Sequence, residues 1–190
     1  AIKYDTGYEK AGYAKDWLGR IAALDLKDSA RLLKAQQLLA QWDWNLDGKG
    51  PADALALMVL RPANKSHYNR GTMPDPRQIL EDTVDHLKQY FDRIDPPMLN
   101  VLRMRQGKVD LPVDGGNDTI RASTLWDIEE DGRLSVRHGD SFIQFVEWDK
   151  DGKVYSRSIQ PFGAATTRPE SKHYTDQMQL FVDKKLKPVW

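Results

Sequence analysis

The stretch 138–182 constrains this chain more than any other, because it prescribes a strand, a tight turn and a second strand in succession. Residues 141–148, Ser-Phe-Ile-Gln-Phe-Val-Glu-Trp, are mostly β-branched or aromatic, and Asp151-Gly152 is a hairpin-turn dipeptide. Residues 154–159 return as the partner strand. Alternation puts Ile143, Phe145 and Glu147 on one face of the first strand and Phe142, Val146 and Trp148 on the other. Both faces are largely apolar, which predicts a strand covered on both sides. The loop 160–171 holds Pro161, Gly163 and Pro169 and cannot prolong either strand. A helix is expected to begin near Ser171, burying Tyr174, Met178 and Phe181 or Val182 along one side.

Upstream, the periodicity predicts helices at 16–24, 30–41, 52–60, 76–91 and, more briefly, 96–104. Asp28 or Ser29 is the expected N-cap of the second, and Pro62 the expected stop of the third. Residues 1–13 read as extended or loop and 67–76 as a surface excursion. The pattern turns to β afterwards, with strands at 119–126 and 133–137 ahead of the hairpin. The expected class is α+β: a mainly helical segment, 1–108, followed by antiparallel strands and a C-terminal helix, 109–190.

Composition removes several functions. With 28 basic and 28 acidic residues the formal charge is zero, so nothing favours a nucleic-acid or strongly acidic partner. The chain has no cysteine, which rules out disulfides, thiol catalysis and cysteine metal sites. No apolar run approaches the roughly 20 residues that span a bilayer.

The segments GDSFIQFVEW, RPESKHYTDQMQLF and KPVW, in that order, resemble the C-terminal end of the β-chain in the penicillin acylase family. LPVDGGNDTIRA (111–122) and LLAQWDWNLDGKGPADAL (38–55) extend the resemblance over most of the chain. That family comprises N-terminal-nucleophile hydrolases that cut amide bonds: penicillin, cephalosporin or glutaryl, and acyl-homoserine-lactone acylases. The resemblance implies the C-terminal portion of an αββα sandwich, remaining α- and β-chain segments as partners, a small acyl-amide substrate, and a periplasmic or secreted location. It implies an acyl-enzyme on a serine exposed by autoproteolysis, whose α-amino group is the base, with backbone and asparagine oxyanion donors. Neither the serine segment nor that asparagine is matched here, and a chain beginning with Ala1 is expected to be a processed or excised piece, inactive alone. No cofactor is implied; calcium would belong to the full enzyme.

Glu147 is the candidate catalytic support. A carboxylate on an apolar face must be paired, hydrogen-bonded or protonated, and one at a strand end can simply reach solvent or an arginine. In the glutaryl-acylase branch a β-chain glutamate supports the histidine near the nucleophile, and Val146-Glu147-Trp148 resembles the position with that role. His173, Tyr174, Asp176 and Gln177 form the most recognisable motif, expected to lock the preceding loop rather than to catalyse. Asp43-x-Asn45-x-Asp47-Gly48 copies half an EF-hand loop, but Pro51 and Ala54 stand at its ninth and twelfth positions, so an Asx-rich turn is favoured over calcium. Asp140, Ser141 and His173 could be imagined as a triad, yet no nucleophile elbow is present. His67, His86 and His138 lie apart from any second ligand. Arg121 and Arg168 are expected in salt bridges. A free-standing scaffold and a separate small hydrolase stay open as alternatives.

Overall fold

The computed structural model describes residues 2–8, 10, 12–124 and 127–189. The chain is mixed α+β, with six α-helices among the described residues and a single 3-10 turn at Ile2–Tyr4. α1 (Gly12–Ala22) buries Ala14, Trp17 and Ile21, and α2 (Ala30–Ala40) buries Leu32, Ala35 and Leu39, each a stripe at helical spacing. α1 starts ahead of the expected residue 16, at Gly12, whose φ is 63°. Ser29 occupies the N-cap of α2 without a side-chain cap bond. α4 (Pro76–Phe91) has the expected bounds: Asp75 accepts from the Gln78 N–H at 2.8 Å, and Pro76 suits the first turn, where no N–H is needed.

α3 (Asp53–Tyr68) overturns one expectation, for it runs straight through Pro62. Residues 53–60 are buried on every side, so packing of this central helix outweighs the lost hydrogen bond. The Trp17 indole N–H donates to the Val59 carbonyl at 2.8 Å, beside the Met58 carbonyl that Pro62 leaves without its helical donor.

A second correction concerns 96–104. α5 (Met98–Val101) is one turn long, and β1 (Leu102–Gln106) follows at once. β1 pairs antiparallel with β2 (Val109–Pro112) through a turn with Gly107 at φ 58°, and parallel with β4 (Leu134–Ser135). The expected strands 119–126 and 133–137 shrink to β3 (Ser123–Thr124) and β4; Leu125 and Trp126 lie outside the described residues. Asp118 at φ 60° turns the chain just before Arg121, whose side chain is fully buried, so the backbone is committed to an irregular path there. β3 pairs with β5 (His138–Gly139).

β6 (Ile143–Trp148) and β7 (Val154–Ile159) form the anticipated hairpin, in the register Ile143↔Ile159 to Trp148↔Val154. β8 (Lys187–Pro188) pairs with β7, leaving β6 an open edge among the described residues. In this chain the expected double cover is not found: Ile143 alone of β6 is buried. The helix expected from Ser171 is also shorter, since α6 spans only Met178–Val182. A helix through 173–177 would bond the Gln177 N–H to the His173 carbonyl. Instead Gln177 N–H donates to Phe162 O (3.0 Å), and His173 O accepts from Ala165 N–H (3.1 Å). One apolar core runs from Tyr8 to Phe181 and joins α1–α5 to the sheets and α6.

Candidate functional site

A cleft of about 480 Å³ lies between residues 136–141 and the loop 160–164 with Thr166. Met104, Ala122 and Phe181 contribute apolar lining, and Asp140, Ser141, His138 and Gln160 add polar groups. The Asp140 side chain is only 7% exposed; Oδ1 takes the Lys3 ammonium at 2.5 Å, while Oδ2 is buried without a partner. Ser141 and Asp140 thus share the cleft, but His173 does not complete a triad. Its Nδ1 bonds Asp176 Oδ2 at 2.7 Å, and no hydrogen bond joins it to Ser141.

Behind the 160–166 wall sits the 173–177 motif. Gln177 accepts from the Gln160 N–H at 3.1 Å and donates to its side-chain oxygen at 3.2 Å. Gln106 donates to the Tyr174 carbonyl at 2.6 Å, and a side chain at Gly107 would meet the Tyr174 ring. Gly163 presses so closely on this motif that a Cβ would lie 2.1 Å from His173 O. These groups hold one wall of the cleft; the structure routes their polar atoms into that wall and one another.

Arg121 is wholly buried. Nε donates to Asp114 at 3.2 Å, Nη2 donates to the Phe181 carbonyl at 2.9 Å, and the guanidinium lies 4.0 Å from the Phe181 ring centroid. Lys184 neutralises the other Asp114 oxygen at 2.5 Å. This is a structural salt bridge, one of the forms the sequence leaves open, and it is internal rather than at the surface. Arg168 is exposed, and its backbone, not its guanidinium, makes the turn contacts with Ala165 and Ser171.

Glu147 projects from the exposed hairpin opposite Tyr155, beside Phe145 and Arg157, and no hydrogen bond or ion pair within the described residues engages its carboxylate. The histidines are dispersed: His67 stacks on Tyr13 at 4.9 Å, His86 bonds the Gly132 carbonyl at 2.7 Å, and His138 is exposed in β5.

In the 43–48 loop, Asp43 accepts from the Asn45 N–H at 2.9 Å and Asp47 from the Lys49 N–H at 3.0 Å, while the Asn45 side chain accepts from Thr6. These oxygens are spent in Asx turns, and no group of three acidic or histidine side chains among the described residues is placed to hold a metal. The residue that organises the loop is one the periodicity passes over, Asp53. Its carboxylate accepts from Gly48 N–H and Gly50 N–H at 3.0 Å each and from the Trp42 indole at 3.2 Å. Its reach back three residues to Gly50 has capping-box spacing, a signal present in the sequence. Burial pushes its pKa up to about 6; Asp43 and Asp47 add to the rise, and the Gly50 and Trp42 donors oppose it.

A pH dependence follows. The folded chain binds this proton more tightly than the unfolded chain, where the pKa is about 3.9. The resulting stabilisation is full below about pH 4 and fades as pH rises through 6. Denaturant titrations of the native chain and Asp53→Asn across that window should diverge by up to about 3 kcal/mol. Parallel curves would mean that the three donors keep the carboxylate ionised throughout.

The fold is mixed α+β with a motif-locked loop, and comparison with known families supplies the assignment. The model of the penicillin amidase family matches residues 1–190, and the chain belongs to that family of hydrolases. No curated protein matches it.

Proposed function

We propose that this chain is the C-terminal part of an acylase that removes acyl groups from amides such as acyl-homoserine lactones or β-lactam antibiotics. The reaction runs through an acyl-enzyme on an N-terminal serine borne by another segment, and the complete enzyme works in the periplasm or outside the cell. The family match supports the amide chemistry. The observation that carries the incomplete-enzyme reading is the hairpin. Val146, Trp148 and Val154 stand on one face and Phe145 and Tyr155 on the other, Trp148 being 65% exposed, and among the described residues β6 offers an unpaired edge. A free-standing protein protects such an edge with charge, proline or a bulge. Here the hairpin has the character of a sheet interior, completed by the remaining acylase segments.

In that assembly Glu147, free of any partner within the described residues, would orient the histidine near the nucleophile, fix its tautomer and stabilise its charged form. The serine attacks the amide carbonyl as its own α-amino group takes the hydroxyl proton, the C–N bond breaks with that proton passing to the leaving amine, and water then hydrolyses the ester to release the acid and restore the serine.

Intact-mass analysis and N-terminal sequencing of what co-purifies with this chain from its native source, with an amide-hydrolysis assay, tests the proposal. A serine-initiated partner, with activity only in the complex, is expected. A folded, inactive monomer would make the chain a scaffold instead. In the complex, Glu147→Gln should lower kcat by about tenfold, less than the 10²–10⁴ of a general base itself, and shift the pH profile while leaving KM near its value. An unchanged profile would remove Glu147 from the site.

A further inference from the structure

The chain carries four Asp-Gly dipeptides, at 47–48, 114–115, 131–132 and 151–152. An aspartate followed by glycine can cyclise, because no Cβ shields the glycine nitrogen. Three of the four are built against it. Asp47 is paired with Lys49 at 2.6 Å, Asp114 with Arg121 and Lys184, and Asp131 with Arg105 at 2.6 Å and Arg133 at 3.1 Å. The cations beside Asp47 and Asp131 hold those carboxyls below their usual range, which depletes the protonated acid that can lose water. The glycines are confined as well. A Cβ on Gly48 would meet Leu99 at 2.8 Å, one on Gly115 the Arg121 carbonyl at 2.1 Å, and one on Gly132 the Tyr90 ring at 2.2 Å.

Asp151-Gly152 differs on both counts. It sits at the tip of the β6–β7 hairpin, both residues are exposed, and nothing lies within 4 Å of where a Gly152 Cβ would be. No hydrogen bond or ion pair among the described residues holds the Asp151 carboxylate; only its N–H is engaged, donating to Asp149 at 3.0 Å. Gly152 N–H donates to the Asp149 carbonyl at 3.0 Å, an exposed turn bond of the kind that opens in local fraying.

We propose that Asp151, alone of the four, is a site of spontaneous isomerisation to isoaspartate. The Gly152 nitrogen attacks Asp151 Cγ, the N–Cγ bond forms, and the Cγ–O bond breaks as water leaves. The cyclic imide then takes up one water. Opening at the former main-chain carbonyl routes the backbone through Cβ and Cγ, with no net change in mass. The inference does not rest on the acylase reading, since it needs only the turn.

The test is to hold the native chain and a denatured sample for weeks at neutral pH in heavy-oxygen water, then digest, locate label and isoaspartate by fragmentation, and repeat with Asp151→Glu. The 151–152 peptide of the native chain should isomerise at least about tenfold faster than the other three, the ratio given by a barrier lower by about 1.4 kcal/mol. In the denatured sample the four should become comparable, and Asp151→Glu should abolish the signal. Comparable rates at all four sites of the native chain would overturn the proposal. So would absence of isoaspartate at 151 when the denatured sample has accumulated it.

Discussion

Replacing Arg121 with alanine should lower the unfolding free energy by about 3–5 kcal/mol, because it breaks a buried ion pair from one side only. Asp114 keeps Lys184 at 2.5 Å and the Phe181 carbonyl keeps the Lys184 N–H at 3.1 Å, but that carbonyl loses its guanidinium donor and the Phe181 ring loses the guanidinium stacked on it. The Arg121 backbone N–H, which donates to Asp5 O at 2.8 Å, would survive. Replacing Asp114 and Arg121 together by apolar residues of similar volume should therefore cost less than Arg121→Ala, the non-additivity expected of residues that share one network. Denaturant midpoints of the two single variants and the double variant measure it. A loss under about 1 kcal/mol for Arg121→Ala would show that Lys184 takes over the pair.

Trp17→Ala should cost a similar amount, about 3–5 kcal/mol, for a different reason. Trp17 is fully buried and donates to the Val59 carbonyl on the turn of α3 that Pro62 weakens. Alanine there opens a cavity between α1 and α3 and removes that carbonyl's additional, indole donor. Trp17→Phe separates the two effects: it keeps most of the volume and loses only the indole hydrogen bond, so a cost of about 0.5–1.5 kcal/mol is expected from that bond alone. Urea unfolding of both variants decides the division. A near-neutral Trp17→Phe would mean that the turn at Pro62 does not depend on the indole.

Where the sequence could be read and where it could not follows from the range of the forces involved. α2 and α4 and the β6–β7 hairpin carry their own instructions: a 3.6-residue stripe, an Asp-Pro start, a period-2 run with Asp-Gly between. The passage of α3 through Pro62 was not legible, because it is settled by neighbours such as Trp17 that are distant in sequence. The same holds for 173–177, where Phe162 and Ala165 capture the backbone groups that a helix would have used. Of the candidate site, the SKHYTDQ motif and its hold on the preceding loop, where Gln160 and Gly163 lie, were visible, but Gln106 was not, since it stands 68 residues from Tyr174. Arg121 looked like any arginine after a turn; its burial depends on Phe181, 60 residues on.

The Lys3 ammonium on Asp140 joins residues 137 apart in the chain. Thr6, Tyr8 and Asp5 are tied in the same way, through the Leu46, Trp44 and Arg121 backbones. Closing so long a loop costs about 4 kcal/mol of chain entropy, several times what a short turn demands. The Lys3 end of this strap, residues 3–8, can therefore seat only after the segment around 140 is in place, whereas Thr6 and Tyr8 need only the 44–46 segment. A chain interrupted short of β5 would keep Thr6 and Tyr8 on Leu46 and Trp44 and leave Lys3 loose.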